Sequence, residues 1–128
     1  MFGSVKAFSG FSTNDLEAAK KFYGEILGIK VTDEGGLLTL HLDDGARPTL
    51  VYPKEDHVPA TYTILNFPVA DIDEAVDALV AKGVQFDKYP GSPQDEKGVM
   101  RGKAVNIGPD IAWFKDPAGN ILSVLSTD

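Results

Sequence analysis

With 128 residues and no cysteine, the chain suits one compact domain and excludes disulfides, thiolate metal sites and cysteine nucleophiles. Its formal net charge of −7 repels phosphate backbones, which argues against nucleic acid and suits a soluble enzyme or a binder of neutral or cationic small molecules alike. Hydrophobic residues make up 43% but form no run near the roughly 20 residues that span a bilayer, and MFGSVKAFSG lacks a signal peptide's charged start and apolar core, so no membrane partner is expected and the cytoplasm is the expected compartment.

In chain order, Val5–Thr13 reads as a strand, and NDLEAAKKFYGEIL, 14–27, as an amphipathic helix with Leu16, Ala19, Tyr23 and Leu27 on one face. Asn14 with Glu17 has the spacing of a capping box, Gly28 suits the left-handed position after the helix, and Gly24 weakens its interior. Strands are expected at Ile29–Asp33, Leu37–Leu42 and Thr49–Tyr52, and then the proline-bracketed, polar segment PKEDHVPA, 53–60, reads as a linker. A second strand, Thr61–Val69, leads into DIDEAVDALVAK, 71–82. There Asp71 and Glu74 again have cap spacing, Ile72, Val76, Leu79 and Val80 form a stripe, and Gly83 ends the helix. Val84–Tyr89 reads as a strand, KYPGSPQDEKGVMRGK, 88–103, as a long polar loop, and Ile111–Lys115 and Ile121–Leu125 as a closing hairpin. In its turn, DPAGN, Pro117 presets the backbone, Asp116 can accept a local hydrogen bond, and Gly119 suits a left-handed residue. GVMRGKA is no phosphate loop: it is one residue short between glycines and has no hydroxyl after the lysine.

The order strand, helix, strand, strand, strand occurs twice. Asp15-Leu16 and Asp71-Ile72 lie 56 residues apart, and Gly28 and Gly83 lie 55 apart. This is an internal repeat, with module 1 at about 1–56 and module 2 at about 57–128, neither apolar enough for a separate domain. A sheet with helices on one face must cover the other, and two half-sheets curling toward one another would enclose a cup.

NDLEAAKKFYGEILGIKV, DIDEAVDALVAKGVQF and WFKDPAGNILSVL together resemble the two helix regions and the closing hairpin of the vicinal oxygen chelate superfamily. That superfamily holds glyoxalase I, extradiol dioxygenases, fosfomycin resistance enzymes and bleomycin-type antibiotic-binding proteins. The resemblance spans nearly the whole chain. It implies an α+β fold of two tandem βαβββ modules, a cup-shaped mixed sheet with helices on the outer face and, commonly, a homodimer. Metal-dependent relatives carry a ligand on the first and last strand of each module, and these positions fall at Phe8, Thr49, Ile64 and Ser123. Phenylalanine and isoleucine have no lone pair to donate, and neutral hydroxyls are weak ligands beside histidine and carboxylate sets, so no metal and no other cofactor is expected.

If Phe8 faces the cup, alternation brings Lys6, Gly10 and Ser12 to the same face, and Tyr62, Ile64 and Asn66 from the second module, with Ile121, Ser123 and Leu125 from the last strand. Such a wall, apolar with a few neutral polar groups, suits a small, partly apolar organic molecule, and its alternative is a filled core. His41 is either a solvated strand residue or, if Leu38, Leu40 and Leu42 face the helices, a cup residue. His57 is expected in solvent, and Tyr52 and Trp113 as core anchors or ligand caps. Met100 and Arg101 are candidate ligand contacts if 88–103 folds over as a lid rather than staying a solvated loop. The leading expectation is metal-independent binding of a small organic molecule, as in sequestration by bleomycin-resistance-type proteins. The alternative is a glyoxalase-like lyase or isomerase, or a dioxygenase-like enzyme, in which His41 with Glu34 or Asp43 would hold a divalent metal. No catalytic residue is singled out.

Overall fold

A computed structural model describes residues 1–127. The chain divides into two compact units, Met1–Val58 and a second beginning at Pro59, so that the break falls inside PKEDHVPA. Each unit is a βαβββ module whose four-stranded mixed sheet carries a helix on one face, and the fold is α+β.

In the first unit β1 (Ser9–Thr13) is followed by α1 (Leu16–Lys21), then β2 (Val31–Glu34), β3 (Leu37–Leu42) and β4 (Arg47–Pro53). The sheet order is β1-β4-β3-β2, with β1 and β4 parallel and the other pairs antiparallel. A parallel pair cannot be closed by a tight hairpin, and here the chain passes from β1 to β4 through α1, β2 and β3. Here Asp15, not Asn14, caps the helix: its carboxylate accepts from the Ala18 N–H at 3.0 Å. After Lys21 the helix widens into a π turn over Phe22–Ile26, where Gly24 sits. Tyr23 is fully buried there, tilted against Phe11 at 5.7 Å and edge-on to Phe22 at 5.2 Å. With Ala19, Leu38, Leu40 and Val51 it makes the core between helix and sheet. β1 is shorter than expected, because Val5 and Phe8 precede it and are exposed.

The second unit runs β5 (Thr63–Val69), α2 (Ile72–Ala81), β6 (Met100–Arg101), β7 (Asp110–Lys115) and β8 (Ile121–Ser126), with sheet order β5-β8-β7-β6. Asp71 caps α2 as expected, accepting from the Glu74 N–H at 3.1 Å. Ile72, Val76, Ala112, Phe114, Leu122 and Val124 are buried on the helix side. Val84–Tyr89 does not form a full strand. Phe86 alone bridges to Phe114, and the Asp87 N–H donates to the Trp113 carbonyl at 2.8 Å. The edge beside β7 is therefore shared between this segment and β6, which lies inside the expected loop 88–103.

The DPAGN turn is a structural knot. Asp116 Oδ1 accepts from the Ala118 and Asn120 N–H groups, both at 2.9 Å, and Asn120 Nδ2 donates to Asp116 Oδ2 at 2.9 Å. Asp116 and Asn120 are buried, and a buried carboxylate is tolerated only when its lone pairs are filled in this way.

Candidate functional site

Side chains alternate across a strand, so register fixes which residues share the face away from each helix. In the second unit Leu65, Phe67, Leu122, Val124, Ala112 and Phe114 lie on the α2 side. Asn66 pairs with Ser123, and Ser123 with Trp113, on the helix-free side. These three residues form a row across β5, β8 and β7. Ser123 is 0% exposed, sunk between two larger neighbours, and its hydroxyl donates to Asn66 Oδ1 at 2.6 Å. Asn66 itself is exposed and Trp113 is half-buried. Tyr89 stands edge-to-face with Trp113, with centroids 5.8 Å apart and planes at 81°. Burial, and after it the neighbouring Asp87 carboxylate, pushes the Tyr89 phenol above its ordinary range, so the ring stays neutral. Met100 pairs with Ile111 and so shares this face, while Ile64 is the extra residue of a bulge between Thr63 and Leu65. Tyr62 lies just before β5 and is 70% exposed.

Arg101 does not join this row. It alternates with Met100 toward α2, where Nη1 and Nη2 reach both carboxylate oxygens of Asp73 at 3.1 and 2.8 Å and Nε reaches Asp95 at 3.1 Å. Lys97 adds contacts to Asp73 at 2.9 Å and Asp77 at 3.0 Å. The Arg101 guanidinium, then the Lys97 ammonium, hold the Asp73 carboxyl well below its usual range. Arg101 and Lys97 thus strap residues 95–101 to the helix side, while Tyr89 and Met100 of the same segment lie on the helix-free face. Gln94 braces the segment by bonding the Tyr89 N–H at 2.8 Å and the carbonyls of Asp87 and Gly98 at 2.9 and 2.7 Å.

In the first unit Phe8 is exposed before β1. Thr49 does not face the helix-free side: it pairs with Leu40, is 6% exposed and belongs to the core under α1. Register gives the reason for this correction. Gly10 pairs with Leu50 as Asn66 pairs with Ser123, and Phe11 pairs with Val51 as Phe67 pairs with Val124, at the same 56-residue offset in β1 and β5. Leu50, not Thr49, is the counterpart of Ser123. His41 lies opposite Leu40's face and bonds Thr32 Oγ1 through Nε2 at 2.9 Å. Sequence reasoning missed His57: it is half-buried, and its Nδ1 lies 2.6 Å from Ser12 Oγ, tying the linker to β1. Only the bracketing prolines hinted that this segment is fixed.

The positions that hold metal in relatives do not fit one. Phe8 and Ile64 lack donors, Leu50 replaces Thr49, and the Ser123 hydroxyl is committed to Asn66. Nor do the alternative ligands converge. Glu34 pairs with Leu37, and the His41 N–H bonds the Lys30 carbonyl, so the two side chains stand four residues apart along β2, roughly 13 Å. Asp43 turns to Arg47 at 3.6 Å. Among the described residues no three His, Cys, Asp or Glu side chains form a group able to hold a metal ion. A surface groove of about 620 Å³ lies instead on the helix side of the first unit, lined by Glu17, Lys20, Lys21, Gly24, Glu25 and Val31. It contains none of the expected ligand residues, and its mixed charges are those of a solvated helix surface.

Two mixed sheets with one topology, matched in register and each backed by one helix, define a protein of duplicated βαβββ modules. The chain belongs to the Glyoxalase/Bleomycin resistance protein/Dioxygenase superfamily, whose description matches residues 8–124. Among solved structures it is similar to an antibiotic binding protein from a Streptomyces species, at 21% identity and TM-score 0.68, covering 98% of both chains. It is similar to a genomically encoded fosfomycin resistance protein from Listeria monocytogenes, at 15% identity and TM-score 0.68, over 98% of this chain and 94% of that one. Lactoylglutathione lyase from Agrobacterium tumefaciens shares 18% identity with a TM-score of 0.62, over 97% and 94%. At these identities the likeness is one of fold. No curated protein matches the sequence.

Proposed function

We propose that the protein binds a small, partly apolar organic molecule without metal or other cofactor, holding it rather than transforming it. The observation that carries this reading is the row Asn66–Ser123–Trp113 with Tyr89 beside it, aromatic and neutral-polar on a helix-free face. Such a surface offers shape and hydrogen bonds but no poised nucleophile or base, which is what a stoichiometric binder requires. Similarity to an antibiotic binding protein and to a fosfomycin resistance protein supports sequestration of a toxic compound as the role. Asn66, Trp113, Met100 and Ile64 are the proposed contacts in the second unit, with Ser123 fixing Asn66 and Tyr62 at the margin, and in the first unit, taken by itself, Phe8 and His41 are proposed as candidate contacts. We further propose a homodimer in the cytoplasm. β1 and β5 are each an edge of their own sheet, and an edge strand presents backbone groups able to pair.

Titration calorimetry across a panel of antibiotics and aromatic metabolites tests the reading. Saturable binding of at least one compound, abolished or weakened by Trp113→Ala, is the expected result. A panel without saturable binding contradicts it.

A further inference from the structure

The chemical class of the ligand follows from what the row leaves free, and this step rests on the binding reading above. Ser123 is 0% exposed and gives its hydrogen to Asn66 Oδ1 at 2.6 Å, so the serine is not itself presented. That bond fixes the amide: its oxygen is used, and the Nδ2 hydrogens of the exposed Asn66 remain for a ligand. The group on offer is therefore a donor, and it asks for an acceptor. Trp113 lies on the other side of Ser123, and Tyr89 meets it at 81°, so the two rings make a right-angled aromatic corner. A planar ring can stack on one wall of such a corner and meet the other edge-on, both favourable arrangements. Close to the corner the Asp87 carboxylate faces the Lys115 ammonium at 3.7 Å, so their charges offset one another, although Asp87 Oδ2 is buried without a hydrogen bond.

The repeat supplies an internal comparison. The row of the first unit that corresponds by register is Gly10–Leu50–Thr39, with no amide and no ring. Duplication placed two equivalent rows in the chain, and one of them carries recognition groups.

We propose that the second unit takes an uncharged aryl carbonyl compound, one per chain, its ring in the Trp113–Tyr89 corner and its carbonyl oxygen accepting from Asn66 Nδ2. Three probes separate the parts: 2-acetylnaphthalene has ring and acceptor, 2-ethylnaphthalene the ring alone, and cyclohexyl methyl ketone the acceptor alone. Calorimetry with the full chain should find 2-acetylnaphthalene bound one per chain, about tenfold tighter than 2-ethylnaphthalene, as one hydrogen bond implies, and also tighter than the ketone, which lacks the ring to stack. Asn66→Ala should remove the advantage over 2-ethylnaphthalene. Asn66→Asp keeps an acceptor for the Ser123 hydroxyl while losing the donor, and it should do the same, which guards against an effect of the orphaned serine. Thr39→Ala, the corresponding change in the first unit, should leave all three affinities unchanged. Equal affinity for the two naphthalenes, or a preference that survives both Asn66 variants, overturns the aryl carbonyl assignment and leaves small-molecule binding standing. Failure of all three probes, with other compounds binding at Trp113, overturns the assignment alone. Failure of these probes and of the wider panel overturns both.

Discussion

Two glycines show how local sterics hold the second unit together. At Gly102 an added Cβ would come within 2.6 Å of the Pro109 carbonyl oxygen and 2.8 Å of the Gly108 oxygen, both backbone atoms. Gly102→Ala should cost about 2–3 kcal/mol in urea unfolding, as overpacking does, and an unchanged midpoint would contradict the close approach. At Gly119 the obstacle is φ of +86°, with Pro59 Cγ 3.2 Å from an added Cβ. Gly119→Val should cost roughly 2 kcal/mol, and Gly119→Asn clearly less, because a short polar side chain tolerates the left-handed region. The Gly119 role was legible from Asp-Pro-Ala-Gly-Asn alone. The Gly102 role was not, because the crowding atoms belong to a turn six and seven residues away whose path no local pattern dictates. The face of Thr49 was illegible for a related reason. One residue of uncertainty in the loop before β4 inverts every side chain in the strand, and only the pairing of Gly10 with Leu50 settles it.

The helices and most strands could be read because their apolar periods and caps are local, and Asp71 performs the cap that its spacing promised. The strap over 95–101 could not be read, since it depends on charges brought together by folding. Arg101 and Lys97 meet Asp73 from 28 and 24 residues away. Arg101→Gln should loosen it, seen as faster amide hydrogen exchange over 94–101 with little change in β8. The same cluster sets an acid dependence. The folded carboxyls of Asp73 and Asp95 are held below their ordinary range, Asp73 by Arg101 and Lys97. At Asp95 burial opposes the shift, but the Val99 N–H, Arg101 and the Lys97 N–H outweigh it. A depressed carboxyl contributes stability that is present above its unfolded pKa of about 3.9 and lost as pH falls through the folded value. Wild-type stability should therefore decline below about pH 4, and Arg101→Gln should flatten that decline when midpoints at pH 7 and pH 3 are compared. Half-exposed Asp73 is screened by solvent, so the change should be modest and smaller still in high salt. An identical acid limb in the variant would show that these pairs contribute nothing.

At the scale of the whole chain, a 56-residue repeat in the sequence becomes two modules with one topology, and their differences are what the proposed site rests on. The shared core pairs, Phe11 with Val51 and Phe67 with Val124, keep the sheets alike, while the helix-free rows diverge into Gly10–Leu50–Thr39 and Asn66–Ser123–Trp113. That a serine stands at 123, where the resemblance places a metal ligand, was visible in the sequence. That it serves Asn66, and that Tyr89 joins Trp113, required the register and the fold. Trp113 is the sole tryptophan, so its indole N–H gives one resolved reporter in the row. The most direct test of the binding account is a two-dimensional amide and indole NMR titration with a compound that binds in calorimetry. The account predicts saturable shifts at the Trp113 indole, the Asn66 side-chain amide and the Ser123 amide, with the α1 groove from Glu17 to Glu25 undisturbed. Shifts confined to that groove, with Trp113 and Asn66 unmoved at saturation, would contradict it.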